Sequence, residues 1–274
     1  MTELLRILNT PEFQSKDSLK KQLSQLGIKA GDSIIVHSSL KSMGWIAGGA
    51  QAVVESLMET VTGEGTIVMP SQSADNSDPR YWMEPPIPEN WHQPLRESLP
   101  AYDPHLTGLR GMGKIAECFH RHPSTIRSPH PSHSFMAWGK KAAEWMSEHP
   151  LEDSFGMGSP LGKMLQAEVK IMLIGVGFDS CTALHLAEFL QENRTASPQG
   201  AAVSEDGKRI WRTYDCVDTD SERFPELVKD YTGIILKGKL GQAEVQFTAM
   251  QPLVEFGVEW LKNNPLPCER PAHG

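Results

Sequence analysis

Three short apolar runs in this chain each end in a cluster of small polar residues. Asp32-Ser33-Ile34-Ile35-Val36-His37 runs into Ser38-Ser39-Leu40, and Thr66-Ile67-Val68-Met69 breaks at Pro70 into Ser71-Gln72-Ser73. The third run, residues 169–176, passes a Gly175-Val176-Gly177 break to reach Asp179, Ser180 and Thr182. Apolar runs of four to eight residues bounded by turn signals read as strands buried on both faces. Amphipathic segments alternate with them, at residues 18–26 before Gly27 and at residues 50–61 before Gly63. Buried strands alternating with helices specify an α/β body. In open α/β sheets, ligands sit beyond the carboxyl ends of the strands. The three polar clusters are therefore expected to share one site.

The rest of the chain fills in around this frame. Residues 1–15 read as a loose lead-in. Residues 70–107 are rich in Pro and aromatics, including Tyr81, Trp82, Trp91 and Tyr102. Such length without periodicity suits a binding loop or lid, with a simple surface excursion as the plainer alternative. Residues 108–120 and 140–146 read as helices, 134–138 as a strand and 150–158 as a loop. Ser159-Pro160-Leu161 starts a helix, with Ser at the cap and Pro at the first position. Glu205-Asp206-Gly207 signals a hairpin between residues 201–204 and 209–214. Helices near residues 222–231 and 249–263 enclose a strand near 244–247, and the tail from Pro265 is expected to be disordered. The expectation is one α/β domain over residues 1–274, with its core at about 18–262. A central mixed sheet would be flanked by helices and carry an antiparallel C-terminal elaboration.

Composition excludes several function classes. With 39% hydrophobic and 22% charged residues in 274, the chain has the balance of a globular enzyme. No apolar run approaches the ~20 residues that span a bilayer. The first ten residues are too polar for a signal peptide, so a cytoplasmic location is expected. The net charge of −8 opposes nucleic-acid binding and suits a cationic ligand, although an ordinary acidic protein has the same balance. Cys118, Cys181, Cys216 and Cys268 are scattered, so neither a disulfide framework nor a thiolate metal site is expected.

The chemistry concentrates at residues 178–188. On a helix, Thr182, His185 and Glu188 share one side at i, i+3 and i+6. A hydroxyl, an imidazole and a carboxylate past a strand end suit acid–base work, while a structural histidine is the bland reading. Gly156-Met157-Gly158-Ser159-Pro160 opens a helix whose free N–H groups attract an anion such as a phosphate, or are simply capped. Arg127 and His130 offer positive charge for the same phosphate. The pairs His120/His122 and His130/His133 raise a metal, but lack the helix-borne HExxH form. Cys181 and His185 at i, i+4 allow a Cys–His nucleophile, against a small core-facing cysteine.

Taken in order, these segments resemble the aminoglycoside 3-N-acetyltransferase family. The matching stretches are Val36-His37-Ser38-Ser39-Leu40, Gly65 through Ser73, Arg127-Ser128-Pro129-His130-Pro131-Ser132-His133-Ser134-Phe135 with the following Met136 to Gly139, Ser159-Pro160-Leu161 and Thr182-Ala183-Leu184-His185-Leu186-Ala187-Glu188. The resemblance implies acetyl transfer from acetyl-CoA to a cationic amine, an antibiotic-resistance activity when that amine is an aminoglycoside. It implies that Ser38, Ser39, Leu40, Arg127, Ser128, His130, Ser134, Phe135 and Ser159 line the coenzyme site. His185 would be the base, with Glu188 or Asp153 orienting it and Thr182, or an N–H near Ser38, stabilising the thioester oxyanion. His37, Ser73, Asp75 and Glu188 would meet the acceptor. Transfer is expected to be direct and to need no metal. Nothing opposes a homodimer, and neither nucleic acid nor membrane is an expected partner.

The family often has Thr where this chain has Ser71 and Ser73, and Thr-Pro-Thr where it has Thr107-Gly108-Leu109. The last segment borders the acceptor side. Two other readings stay open at this stage: an N-acetyltransferase for a metabolic amine with no role in resistance, and a metal-dependent hydrolase built on the His pairs.

Overall fold

The computed structural model describes residues 3–265. Cys268 and the tail beyond Pro265, expected to be disordered, lie outside the described residues. The lead-in is not wholly loose, because Glu3–Leu8 forms α1. In α2 (Lys16–Gln25), Ser15 and Ser18 cap each other reciprocally, satisfying two donors that the helix start leaves free. Then come β1 (Ser33–Ser38), α3 (Gly49–Val61) and β2 (Thr66–Pro70).

The long segment after β2 holds 3₁₀ turns and α4 (His92–Ser98), which a search for long periodicity passes over. The next helix, α5 (Gly113–His120), begins later than the apolar spacing predicts. Gly111 and Gly113 take φ of 77° and 84°, a left-handed geometry that no helix continues through. Next in order are β3 (Ile126–Arg127), β4 (Phe135–Gly139), α6 (Ala142–Met146), α7 (Pro160–Leu165) and β5 (Val169–Ile174).

Where one helix is expected over the Thr182–Glu188 stretch, there are 3₁₀ turns at Phe178–Ser180 and Thr182–Leu184. Only then does the short α8 (His185–Phe189) begin. The hairpin β6 (Ala196–Glu205) and β7 (Lys208–Val217) is longer than its turn signal suggests. The chain closes with α9 (Phe224–Asp230), β8 (Leu236–Leu240), β9 (Ala243–Ala249) and α10 (Met250–Asn263). Strand β8 reads Leu-Lys-Gly-Lys-Leu, a charged edge with no apolar alternation to betray it.

Seven strands form one mixed sheet in the order β3-β4-β2-β1-β5-β9-β8, and β6-β7 stands apart as a two-stranded sheet. Strand β1 is parallel to β2 on one side and to β5 on the other, while the outer pairs are antiparallel. Period-two alternation sends Ile35, Val68, Ile171 and Leu173 to one face, against Trp145, Phe189 and Leu253. Ile34, Val36, Ile67, Met172 and Ile174 go to the other face, against Leu23, Leu57 and Phe119. Each such side chain contributes about 1.5–3 kcal/mol on burial. Two apolar faces explain why these strands read as unbroken hydrophobic runs. Among the described residues, no helix is long and apolar enough to cross a membrane.

This topology locates the site. The chain leaves β1 toward β2, while β5 lies on the opposite flank. Crossovers departing in opposite directions open a crevice beyond the carboxyl end of the central strand.

Candidate active site

A cleft of about 280 Å³ opens at that crevice. His37 and Ser38 reach it from β1, Met69 and Pro70 from β2, and Val176, Asp179, Ser180, Thr182 and His185 from the segment after β5. All three polar strand ends line it, that of β1 through Ser38 and that of β5 through Asp179, Ser180 and Thr182. The β2 end contributes Gln72. Gly111 and Met112, just ahead of α5, and Ser221, just ahead of α9, complete the opposite walls.

The chain turns from β5 into this cleft at Gly175. Its φ is 64°, and a Cβ there would overlap the Ser42 side chain, so glycine is required twice over. The 3₁₀ turns that follow bury Phe178, Cys181, Ala183 and Leu184 and leave His185 at the cleft.

Nδ1 of His185 lies 2.6 Å from Oε2 of Glu188. The other carboxylate oxygen accepts the backbone N–H of Asp220 at 2.7 Å. An ionised carboxylate only accepts, so the imidazole hydrogen resides on Nδ1 and the lone pair on Nε2. Glu188 is thereby anchored at both ends, and His185 keeps a single basic nitrogen. The ring plane is also held. Phe155 stacks on it at 4.9 Å between centroids and 25° between planes, and Phe224 lies across it at 5.0 Å.

His37 occupies the same cleft in a different state. It is 7% exposed, and its Nε2 has no partner among the protein groups. Burial, reinforced by the charge of His185, pushes its pKa down to about 3. The cleft therefore pairs a neutral imidazole with one backed by a carboxylate.

Several expected site residues serve other ends. Glu188, not Asp153, orients the His185 ring. Asp153 accepts the Gly158 N–H at 2.6 Å and braces the loop ahead of α7, where a Cβ at Gly156 would overlap its carboxylate. Ser159 is fully buried and caps α7 by accepting the Leu161 N–H at 3.1 Å, so its hydroxyl is no phosphate ligand.

The expected coenzyme residues Arg127, Ser128, His130, Ser134 and Phe135 form a buried frame. Every guanidinium nitrogen of Arg127 donates to a protein acceptor: Nε to Ser134 Oγ, Nη1 to Thr107 O, Nη2 to Ser71 O and Ser73 Oγ. Four of its five N–H donors are thus engaged by the frame. His130 accepts the Ser132 and His133 N–H groups on Nδ1 and donates from Nε2 to Leu151 O at 3.3 Å. Ser128 joins His149 Nδ1 at 2.9 Å and accepts the Phe135 N–H at 2.9 Å. His149 then donates to Ser154 O at 2.7 Å.

The expected acceptor residues also divide. Ser73 is 1% exposed and bonded to Gly108 O and Arg127, so it meets the frame rather than the cleft. Asp75 is exposed and forms an ion pair with Arg110. Ser39 and Leu40 lie just past the lining: the Ser39 N–H bonds Ile174 O at 2.9 Å, and Leu40 opens a 3₁₀ turn. Cys181 is wholly buried and its thiol pKa is pushed up to about 12, so it and His185 form no nucleophilic pair.

Sequence reasoning missed Phe155, Phe224 and Ser221, which arrive from distant segments with no motif to mark them. It read Phe155 only as part of a loop. Among the described residues, no group of three His, Cys, Asp or Glu side chains is arranged to hold a metal ion.

Comparison with known proteins bears on this geometry. The family model described as aminoglycoside 3-N-acetyltransferase matches residues 35–262. The chain is similar to the SPbeta prophage-derived aminoglycoside N(3')-acetyltransferase-like protein YokD of Bacillus subtilis. The two are 42% identical over 263 residues, covering 94% of this chain and 97% of YokD. The crystal structure of YokD superposes with a TM-score of 0.92 at 41% identity, over 94% of this chain and 97% of that one. AAC-VIa bound to sisomicin superposes with a TM-score of 0.84 at 29% identity, covering 93% of this chain and 100% of its own. AAC-IIIb in binary complex with CoASH superposes with a TM-score of 0.83 at 27% identity, covering 95% and 100%.

Proposed function

Because the chain belongs to the aminoglycoside 3-N-acetyltransferase family, a family of acyltransferases, we propose that it moves the acetyl group of acetyl-CoA to the 3-amino group of an aminoglycoside, with His185 as base. The observation that carries this reading is the 2.6 Å contact between His185 Nδ1 and Glu188 Oε2 at the strand-end cleft. The CoASH held by AAC-IIIb and the sisomicin held by AAC-VIa support the two ligand classes.

The acceptor reaches neutral water as an ammonium and must lose a proton before it can attack. His185 Nε2 takes that proton, directly or through a water, and Glu188 stabilises the imidazolium that results. The amine nitrogen bonds to the thioester carbonyl carbon and so carries one surplus proton. The C–S bond breaks, that proton passes to the departing coenzyme sulfur, and His185 gives the ammonium's proton up to solvent. The thioester oxygen gains negative charge as the amine attacks. Thr182, Ser38 and neutral His37 line the cleft and are among the groups available to donate to it. Transfer is direct, within one complex of both substrates. Cys181, with its thiol buried and protonated, supports no acyl-enzyme step.

A thiol-release assay with acetyl-CoA and a panel of amines tests the reading. Release stimulated by an aminoglycoside such as sisomicin, and lowered roughly 10²-fold or more in His185→Ala, is the expected result. Release with simple metabolic amines alone would overturn the acceptor assignment. A trapped acyl-enzyme, lost in Cys181→Ala, would overturn direct transfer.

A further inference from the structure

Beside the main cleft lies a smaller one of about 130 Å³, lined by Gln72, Ala74, Ser77, Ser132, His133 and Gln199. Gln72 lines both clefts, so the two adjoin at this residue. The walls come from three separate segments: the turn after β2, the frame before β4, and β6 of the hairpin. These are tied together firmly. The Asn76 side chain exchanges two hydrogen bonds with the backbone of Ala202, and the Tyr81 hydroxyl donates to Pro198 O at 2.9 Å. Ser132 Oγ and Tyr214 OH, from the partner strand of the hairpin, are 3.3 Å apart. The small cleft is therefore a built feature of the hairpin's docking on the sheet.

Two of its lining residues hold buried polar atoms without a partner among the protein groups: Nδ1 of His133 and Oε1 of Gln199. A buried amide oxygen without a hydrogen-bond donor carries its full desolvation cost. No carboxylate, ammonium or guanidinium lines the cleft. Burial, with the charge of His185 behind it, pushes His133 down to about 4, so its imidazole is neutral at pH 7. A charged ligand group would be desolvated here without compensation, whereas a neutral O–H or N–H toward which the Gln199 amide turns would satisfy its unpartnered oxygen.

We propose that this small cleft is a second subsite, which binds a neutral hydroxyl or secondary amide of the molecule whose reacting end lies beside His185. The proposal rests on the acetyltransferase reading and deepens it. That reading accounts for the amine and the thioester, while the subsite recognises an uncharged part of one of the two substrates. Both candidate sources carry the required chemistry, the aminoglycoside in its ring hydroxyls and the coenzyme in its pantetheine amides and hydroxyl.

Calorimetric titration of the full chain with CoASH and, separately, with sisomicin tests this without any need for turnover. Gln199→Leu removes the acceptor from a half-buried hairpin position and leaves His185, Glu188 and the main cleft untouched. The expected result is a three- to tenfold loss of affinity for one probe and none for the other, with the melting temperature retained. The probe that weakens identifies the source of the neutral group. Unchanged affinity for both probes in a folded Gln199→Leu would overturn the subsite alone. Tighter binding by Gln199→Glu would also overturn it, because the bound group would then be a cation. If the unmodified chain bound neither probe, the acetyltransferase reading itself would fall, and the subsite with it.

Discussion

His185 and Glu188 stand three residues apart on α8, with Nδ1 2.6 Å from Oε2. The remaining Glu188 oxygen is held by the Asp220 N–H, from the segment that leads into α9. The carboxylate thus receives one hydrogen bond from its own helix and one from a distant turn. It sets the imidazole's tautomer and also ties α8 to the far wall of the cleft.

Glu188→Gln separates these roles. The amide retains the shape and an oxygen for Asp220, but it no longer carries the charge that stabilises imidazolium. Turnover is expected to fall by roughly 10–10²-fold, while affinity for CoASH is retained. Steady-state kinetics paired with calorimetry makes the check, and unchanged kcat would remove Glu188 from the mechanism.

Phe155 fixes the plane of the His185 ring by stacking on it, and the His133 ring also lies 4.9 Å from Phe155. An aromatic contact of this kind contributes about 0.5–1.5 kcal/mol beyond its area. Phe155→Leu is expected to lower kcat two- to tenfold with little change in either KM, and Phe155→Tyr to restore it. The His185 ring protons should shift downfield in the leucine variant as the ring current is lost. A drop in melting temperature with kcat intact would show Phe155 to be core packing only.

Arg127 is the hub of the frame, joining Ser71, Ser73, Thr107 and Ser134. Arg127→Met removes four hydrogen bonds from the frame, and although Ser134 Oγ still donates to Ser71 O, it is expected to cost about 2–5 kcal/mol of stability. CoASH affinity per folded molecule should hold. Urea unfolding alongside calorimetry distinguishes this from a direct coenzyme contact, for which affinity would collapse at constant stability.

Acid should unfold the protein through its buried histidines. His37 and His149 are held neutral with pKa values near 3 and His133 near 4, in each case mainly by burial, whereas an unfolded histidine titrates near 6.5. Between about pH 6.5 and these lower values, the unfolded chain binds more protons than the folded one. Stability contributed by neutral burial is therefore complete above pH 6.5 and is lost as pH falls. The slope is about 1.4 kcal/mol per pH unit for each such histidine. Urea midpoints between pH 7 and pH 5 make the measurement, and a flat profile would contradict neutral burial.

Much of the fold is legible in local pattern. Strands β1, β2 and β5 are buried on both faces, so each announces itself as an unbroken apolar run. Ser159-Pro160 marks the start of α7 because capping chemistry is local. The edge strand β8 and the late start of α5 escape notice. One carries lysines in place of alternation, and the other is delayed by glycines whose positive φ no composition reveals.

The site divides along the same line. The sequence alone determined that hydroxyls, His37 and the Thr182-His185-Glu188 series would follow strand ends, and helical spacing sufficed to bring His185 to Glu188. Only the tertiary structure decided which polar residues face the cleft. Arg127, Ser128, His130 and Ser159 look like ligands for an anion when read in a line. Once folded, Arg127, Ser128 and His130 meet donors and acceptors from other segments, Ser159 meets the start of its own helix, and a buried side chain so engaged has little left to offer a substrate. Phe155 and Gln199, with no motif to mark them, are brought beside His185 and into the neighbouring cleft by long-range packing alone.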